Sequence, residues 1–339
     1  MIIDSHGHYT TAPKKYTDFH FELVGAASEG RSLAGMRPAD VSDDEIRESL
    51  EDAQLRMQRE RGTDITIFSP KAAGMSHHLG DISVSTRWAE ASNDLIARVC
   101  ELYPKNFVGA AQLPQSDGAG VDAAVRELRR AVNDLGFIGC NVNPDPSGGY
   151  WSGTPLTDKS WYPLWEAMVE LDVPGMIHVS KSCNPNFHTT GGHYIAGDTT
   201  AFVQLMQSTL FDDFPTLRLI IPHGGGAVPY HWGRYRGLAL DSGLSDLEEG
   251  VMKNVYFDTC VYHEPGLRLL TDVVPTRNII FASEMVGAVR GCDPRTGRHF
   301  DDTKTYIDAL ELDAEARGAI FQGNAMRVFP RLQAALSEN

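Results

Sequence analysis

Cysteine is scarce in this chain and shows no pairing pattern. The 339 residues hold five, Cys100, Cys140, Cys183, Cys260 and Cys292, scattered, odd in number and never in a Cys-x-x-Cys pair. Reduced thiols are the simplest account. Positive charge is also short, with 30 Lys and Arg against 45 Asp and Glu and a formal net charge of −15. No basic stripe balances the phosphates of a duplex, so nucleic acid is excluded as a partner. Cations for any anionic substrate must instead be local to its site. Long apolar runs are missing, and the start lacks a basic segment followed by an apolar one. The expectation is a soluble, cytoplasmic protein with no membrane partner. Repeats, low-complexity tracts and linkers are absent too. With 42% hydrophobic residues, the chain reads as one domain over residues 1–339.

Short β-branched runs alternate with helical stretches from end to end. The expected strands are Met1 to Asp4, Asp64 to Ser69, Phe107 to Leu113, Phe137 to Asn143, Pro174 to Ser180, Leu217 to Pro222, Val255 to Val261 and Asn278 to Ala282. Ser42 and Glu45 form a capping box, after which Ile46, Leu50, Ala53 and Met57 repeat at helical spacing until Gly62. Trp88, Leu95, Val99 and Leu102 mark a second helix, and Val121, Val125, Leu128, Val132 and Leu135 a third that Gly136 ends. Apolar strands with a helix between each pair imply parallel strands covered on both faces. Eight such units predict a closed (β/α)8 barrel of the TIM type. Long loops are expected at Tyr9 to Val41 with His20, Asn143 to Lys159, and Lys181 to Gly197 with His188, His193 and Tyr194. In a barrel each follows a strand end, on the face where active sites sit.

The most informative residues are His6 and His8. On a strand, residues two apart point the same way, so both imidazoles can grip one ion. His178 closes the expected fifth strand, His223 follows the sixth and Glu284 follows the eighth. A lone histidine after a strand is usually a satisfied structural group. Four histidines and a carboxylate at the same end of one barrel are harder to dismiss. Gly224 to Gly226 is not a phosphate cradle, because neither full nucleotide motif is present. Small residues there let the backbone approach a substrate beside His223. Lys71 follows strand two and can face an anion.

Taken together, His6-Gly7-His8, Met176-Ile177-His178, Ile221-Pro222-His223-Gly224-Gly225-Gly226 and Ala282-Ser283-Glu284 resemble the amidohydrolase superfamily, in its branch of mononuclear metal lyases and decarboxylases. Four longer strings are similar to the hydratase family that acts on 4-oxalomesaconate: Thr66 to Pro70, Gly136 to Asn141, Ala227 to Arg234 and Ser283 to Gly291. The resemblance spans the chain. It implies a metal-dependent hydro-lyase that adds water across the C=C bond of 4-oxalomesaconate, giving 4-carboxy-4-hydroxy-2-oxoadipate in protocatechuate 4,5-cleavage and gallate degradation.

The resemblance also implies roles. One divalent metal is expected, zinc first, held by His6, His8, His178 and Glu284. Glu284 doubles as general base and His223 protonates the carbon beside the ketone, with the opposite proton assignment still open. Arg290 offers a bidentate fork to a substrate carboxylate, and Tyr194 and Lys71 are secondary candidates. In related decarboxylases the arginine matching Arg234 enters the neighbouring subunit's site, which implies a homodimer or higher homo-oligomer. Two departures stand out. Most relatives end strand eight with aspartate where this chain has Glu284, and no lysine matches the carbamylated bridge of binuclear members, because strand four ends in Asn141 and Asn143. The rival readings are a metal-dependent decarboxylase, revealed by carbon dioxide release, a hydrolase of lactones or amides, and a non-catalytic metal-binding module.

Overall fold

The computed structural model describes residues 1–188 and 191–337. The β-branched runs form nine strands among these residues: β1 (Ile3–Tyr9), β2 (Ile65–Pro70), β3 (Phe107–Gly109), β4 (Ala111–Gln112), β5 (Cys140–Val142), β6 (Gly175–Ile177), β7 (Leu219–Ile221), β8 (Val255–Asp258) and β9 (Ile279–Ile280). All pair in parallel, in the orders β1-β2-β3 and β4-β5-β6-β7-β8-β9. The strand expected over Phe107 to Leu113 is therefore two pieces. At the break, the Ala110 N–H still donates to the Phe68 carbonyl at 2.9 Å and the Ala111 N–H to the Gly139 carbonyl at 2.9 Å. The chain thus joins the two sheets instead of parting them. Closure comes at the other seam, where the Ser5 N–H donates to the Phe281 carbonyl at 2.9 Å and the Glu284 N–H to the His6 carbonyl at 3.0 Å. The result is the (β/α)8 barrel that the alternation predicts.

Alternation along the strands sorts the side chains. Ile3, Ile65, Ile67, Val108, Ile138, Met176, Ile220, Tyr256 and Ile280 fill the barrel and pack on Ala325, Val328, Phe329 and Leu332. The last two helices, Asn324–Val328 and Leu332–Ser337, so close its floor. Phe68, Phe107, Phe257 and Phe281 point outward into the layer of helices. An apolar floor leaves the C-terminal ends of the strands as the polar mouth.

Several boundaries differ from the sequence expectation. β1 runs on to Tyr9, carrying both histidines, with a register shift against β2 between Asp4 and Gly7. The capping box at Ser42 forms, but the helix it opens stops at Glu51 and a second one, Gln54–Arg61, ends at Gly62 with φ 70°. The loop expected over Tyr9 to Val41 contains a helix, Lys14–Ser28, which buries Tyr16, Phe19, His20 and Leu23. The loop expected over Lys181 to Gly197 turns helical from Gly191, in a helix reaching Met206; Thr189 and Thr190 lie outside the described residues. Glycine interrupts the helical pattern in both segments, at Gly25 in the first and at Gly191, Gly192 and Gly197 in the second. Among the described residues, no helix is long and apolar enough to cross a membrane.

Candidate active site

Three imidazoles converge at the mouth. The Nε2 atoms of His6 and His8 lie 3.0 Å apart and those of His8 and His178 3.3 Å apart. Their far nitrogens are committed as donors. His6 Nδ1 faces Asp258 Oδ2 at 2.8 Å, and His178 Nδ1 faces the Val179 carbonyl at 2.8 Å. His8 Nδ1 lies 2.8 Å from Ser69 Oγ, which also accepts from Asn141 Nδ2 at 3.1 Å and has the Gly7 and Pro70 carbonyls as acceptors for its own proton. Burial, reinforced by the neighbouring imidazoles, pushes His8 and His178 well below the ordinary imidazole range, so both are neutral. The Nε2 lone pairs of His8 and His178 therefore face one another at 3.3 Å with no proton between them. Such an arrangement repels itself unless a cation sits at its centre. Zinc–nitrogen bonds of about 2.0–2.1 Å would set tetrahedral ligands roughly 3.3 Å apart, close to what is seen. Glu284 completes the group: one ligand atom from each of His6, His8, His178 and Glu284 lies within 4.8 Å of every other, and all four side chains are buried. The donor set fits one divalent ion.

Backbone strain marks the same place. His223, Tyr262, Glu284 and Val286 are non-glycine residues with φ of 53°, 59°, 49° and 59°. That conformation costs of order 1–2 kcal/mol at each and persists only where surrounding structure imposes it. Around Glu284 the restraints are visible. Asp4 Oδ1 accepts from the Ser283 N–H at 3.0 Å and the His6 N–H at 3.1 Å, tying β1 to the segment after β9. Burial raises the Asp4 carboxyl to about 6 against those donors. Gly287 is required beside it, because a Cβ there would meet the Glu284 carbonyl oxygen at 2.4 Å.

Opposite the imidazole cluster stands His223. Its Nδ1 contacts Asp198 Oδ2 at 2.8 Å, and its Nε2, buried and without a hydrogen-bond partner among the described residues, lies 4.0 Å from Glu284 Oε2. Burial works to lower the His223 pKa, but the charges of Asp198, Glu284 and Asp258 and the Asp198 hydrogen bond outweigh it and raise it to about 9. His223 is thus a buried imidazolium with one N–H aimed into the site. Asp258 supports both sides: Oδ2 takes His6, while Oδ1 accepts from the Gly224 and Cys260 N–H groups at 3.0 Å each. Burial would raise Asp258, yet these donors and the neighbouring imidazoles leave it lowered.

The site opens into a cleft of about 800 Å³. His8, His178 and Glu284 line its base, with Tyr194, Lys71 and Arg290 on its walls. Tyr194 is buried between the His178 and His223 rings, at centroid distances of 5.3 and 5.6 Å. Burial next to Glu284 and Asp198 keeps its phenol protonated. Lys71 and Arg290 are exposed, and Arg290 Nε donates to the Gly287 carbonyl at 3.2 Å. Arg234 does not join them: it is exposed on the helix Trp232–Asp241 and is not part of the cleft wall. Sequence reasoning missed four residues. Lys181 lines the cleft as a third cation, and among the described residues none of Lys71, Lys181 and Arg290 has a carboxylate within 4.0 Å. Asp198 and Tyr262 lie on surrounding segments with no motif of their own. Asp258 did carry a signal, since it ends β8 with the inward parity of Tyr256.

These features define a class. A family model for amidohydrolases matches residues 3–331, and the chain belongs to that family. Within it, the chain is 59% identical over 336 residues to 2-keto-4-carboxy-3-hexenedioate hydratase from Sphingobium sp., covering 99% of this chain and 98% of that protein. Its fold superposes on the crystal structure of 4-oxalomesaconate hydratase from Rhodopseudomonas palustris with a TM-score of 0.91 at 50% identity, covering 99% of this chain and 98% of the other. A dihydroxybenzoic acid decarboxylase from Polaromonas sp., solved with bound manganese, matches with a TM-score of 0.68 at 22% identity over 97% of this chain and 96% of that one. At that identity the likeness shows the fold alone.

Proposed function

We propose that this cleft hydrates the unsaturated keto tricarboxylate 4-oxalomesaconate to 4-carboxy-4-hydroxy-2-oxoadipate. The chain is a hydro-lyase of the amidohydrolase family, like the full-length relative it matches at 59% identity. The observation that carries the reading is the pairing of a buried carboxylate, Glu284, with a buried imidazolium, His223, beside three converging imidazole nitrogens. One divalent ion, zinc in this proposal, is held by His6, His8, His178 and Glu284; when bound, it supplies a charge sink for substrate oxygens and lowers the pKa of water.

The chain's own residues do the rest. Glu284 takes a proton from the attacking water, whose oxygen bonds to the alkene carbon bearing the extra carboxylate. His223 gives its Nε2 proton to the carbon beside the ketone, and Asp198 holds the ring in the orientation that aims this proton inward. The Tyr194 phenol, protonated at working pH, stands between His178 and His223 as a hydrogen-bond donor to substrate. Lys71, Lys181 and Arg290 line the same cleft without acidic partners among the described residues, which supports recognition of three carboxylates by a chain of net charge −15. The exposed position of Arg234 supports a role across a subunit boundary in a homodimer or higher homo-oligomer. We place the enzyme in the cytoplasm.

The test is turnover of 4-oxalomesaconate by the metal-loaded protein, followed by loss of the conjugated chromophore and by product mass. A gain of one water with retained carbon supports hydration. Release of carbon dioxide would transfer the site to the decarboxylases, and a metal-replete protein inert on this acid would overturn the reading.

A further inference from the structure

The Glu284 carboxylate is asked for two jobs at once, and its two oxygens are not equivalent. Oε2 accepts a hydrogen bond from the Tyr262 phenol at 2.7 Å and lies 4.0 Å from His223 Nε2. Oε1 accepts none among the described residues. Tyr262 follows β8 and is one of the four strained residues around the site, held at φ 59°. The preceding residues of that turn, Asp258 and Cys260, already serve the His6 side of the site. A left-handed conformation at a bulky aromatic residue carries a free-energy cost that any simple packing role would avoid. What this backbone achieves is to point a phenol O–H at one oxygen of one carboxylate.

We infer that Tyr262 is a positioning residue for hydration: its phenol anchors Glu284 Oε2, fixing the rotation of the carboxylate so that Oε1 alone serves the imidazole cluster and the attacking water. The donor spans 22 residues of chain and joins the ends of the last two strands. Without it, the carboxylate can turn about its terminal bond, and Oε2 is free to move toward the His223 imidazolium. Acid and base would then neutralise one another instead of facing the substrate.

The inference rests on the hydratase reading, and two measurements separate them. In the first, Tyr262→Phe keeps the ring and the backbone and removes one hydroxyl. Turnover of 4-oxalomesaconate should fall roughly 10- to 100-fold in kcat, the range of one hydrogen bond to a charged group, with KM within about twofold. Incorporating 3-fluorotyrosine at position 262 should restore kcat, because the donor returns in the same place. In the second, which needs no substrate, the cobalt(II)-loaded parent and Tyr262→Phe are compared by visible absorption. One ion per chain with an altered d–d band in the variant is the expected result. A kcat within about twofold of the parent, or a loss of activity that merely follows loss of metal, would overturn the role. So would an unchanged cobalt spectrum, even if the parent failed to hydrate the acid and the functional reading fell separately.

Discussion

Asp198→Asn tests the acid most directly. The carboxylate is buried, contacts His223 Nδ1 at 2.8 Å, and is the largest influence raising that imidazole toward about 9. Asparagine has nearly the same shape, and its side-chain oxygen can still accept the Nδ1–H, so the ring should stay oriented. What disappears is the charge. A hydrogen bond to a charged group is worth about 1.5–3 kcal/mol, which converts to a fall of about one to two pH units in the His223 pKa. The sign follows from the role: His223 donates a proton, so activity is present below its pKa and lost as pH rises through it. The alkaline limb of kcat/KM should therefore move toward acid by about one to two units, while metal content stays at the parent level. The assay is a pH profile of hydration for parent and variant, each loaded with one ion per chain. A second check is the double variant with His223→Asn, which should be little worse than His223→Asn alone, because two residues acting through one proton are not additive. An alkaline limb that does not move, or a uniform loss at every pH, would refute the reasoning.

Other outcomes follow from the same geometry. His178→Ala removes one of three converging nitrogens and should leave well under one metal per chain after dialysis, read by elemental analysis. Asp258→Asn frees His6 Nδ1 from its carboxylate and should weaken metal affinity about 10- to 100-fold in a chelator competition. Arg290→Met should raise KM for the tricarboxylate about tenfold with kcat largely kept, a modest effect because the side chain is exposed; an unchanged KM removes Arg290 from the site. Acid should strip the centre. His8 and His178 have folded pKa values pushed far below about 6.5, so the stability of their neutral forms is present above that pH and lost as pH falls below it. Thermal stability and bound metal, followed from pH 7 downward, should fall together.

Local pattern sufficed for the barrel and for the residues that meet at its mouth. His6 and His8 share a face because strands alternate, whatever the rest of the chain does. His178 and Glu284 were legible as polar residues closing or following β-branched runs, and parallel strands put all such ends on one side. The capping box at Ser42 needed only four neighbouring residues. Beyond that range the sequence was silent. Asp258 reaches His6 across 252 residues, Asp198 reaches His223 across 25, and Tyr262 reaches Glu284 across 22. Nothing in the text of the chain says that these groups touch. Nor did it say that Lys181 joins Lys71 and Arg290 in one cleft, or that Arg234 stays outside it. Periodicity reports which face a side chain takes, and that is a property of a few adjacent residues. Which hydrogen bond fixes a tautomer, raises an imidazole or turns a carboxylate depends on distances between segments, and those exist only once the strands have closed into a ring.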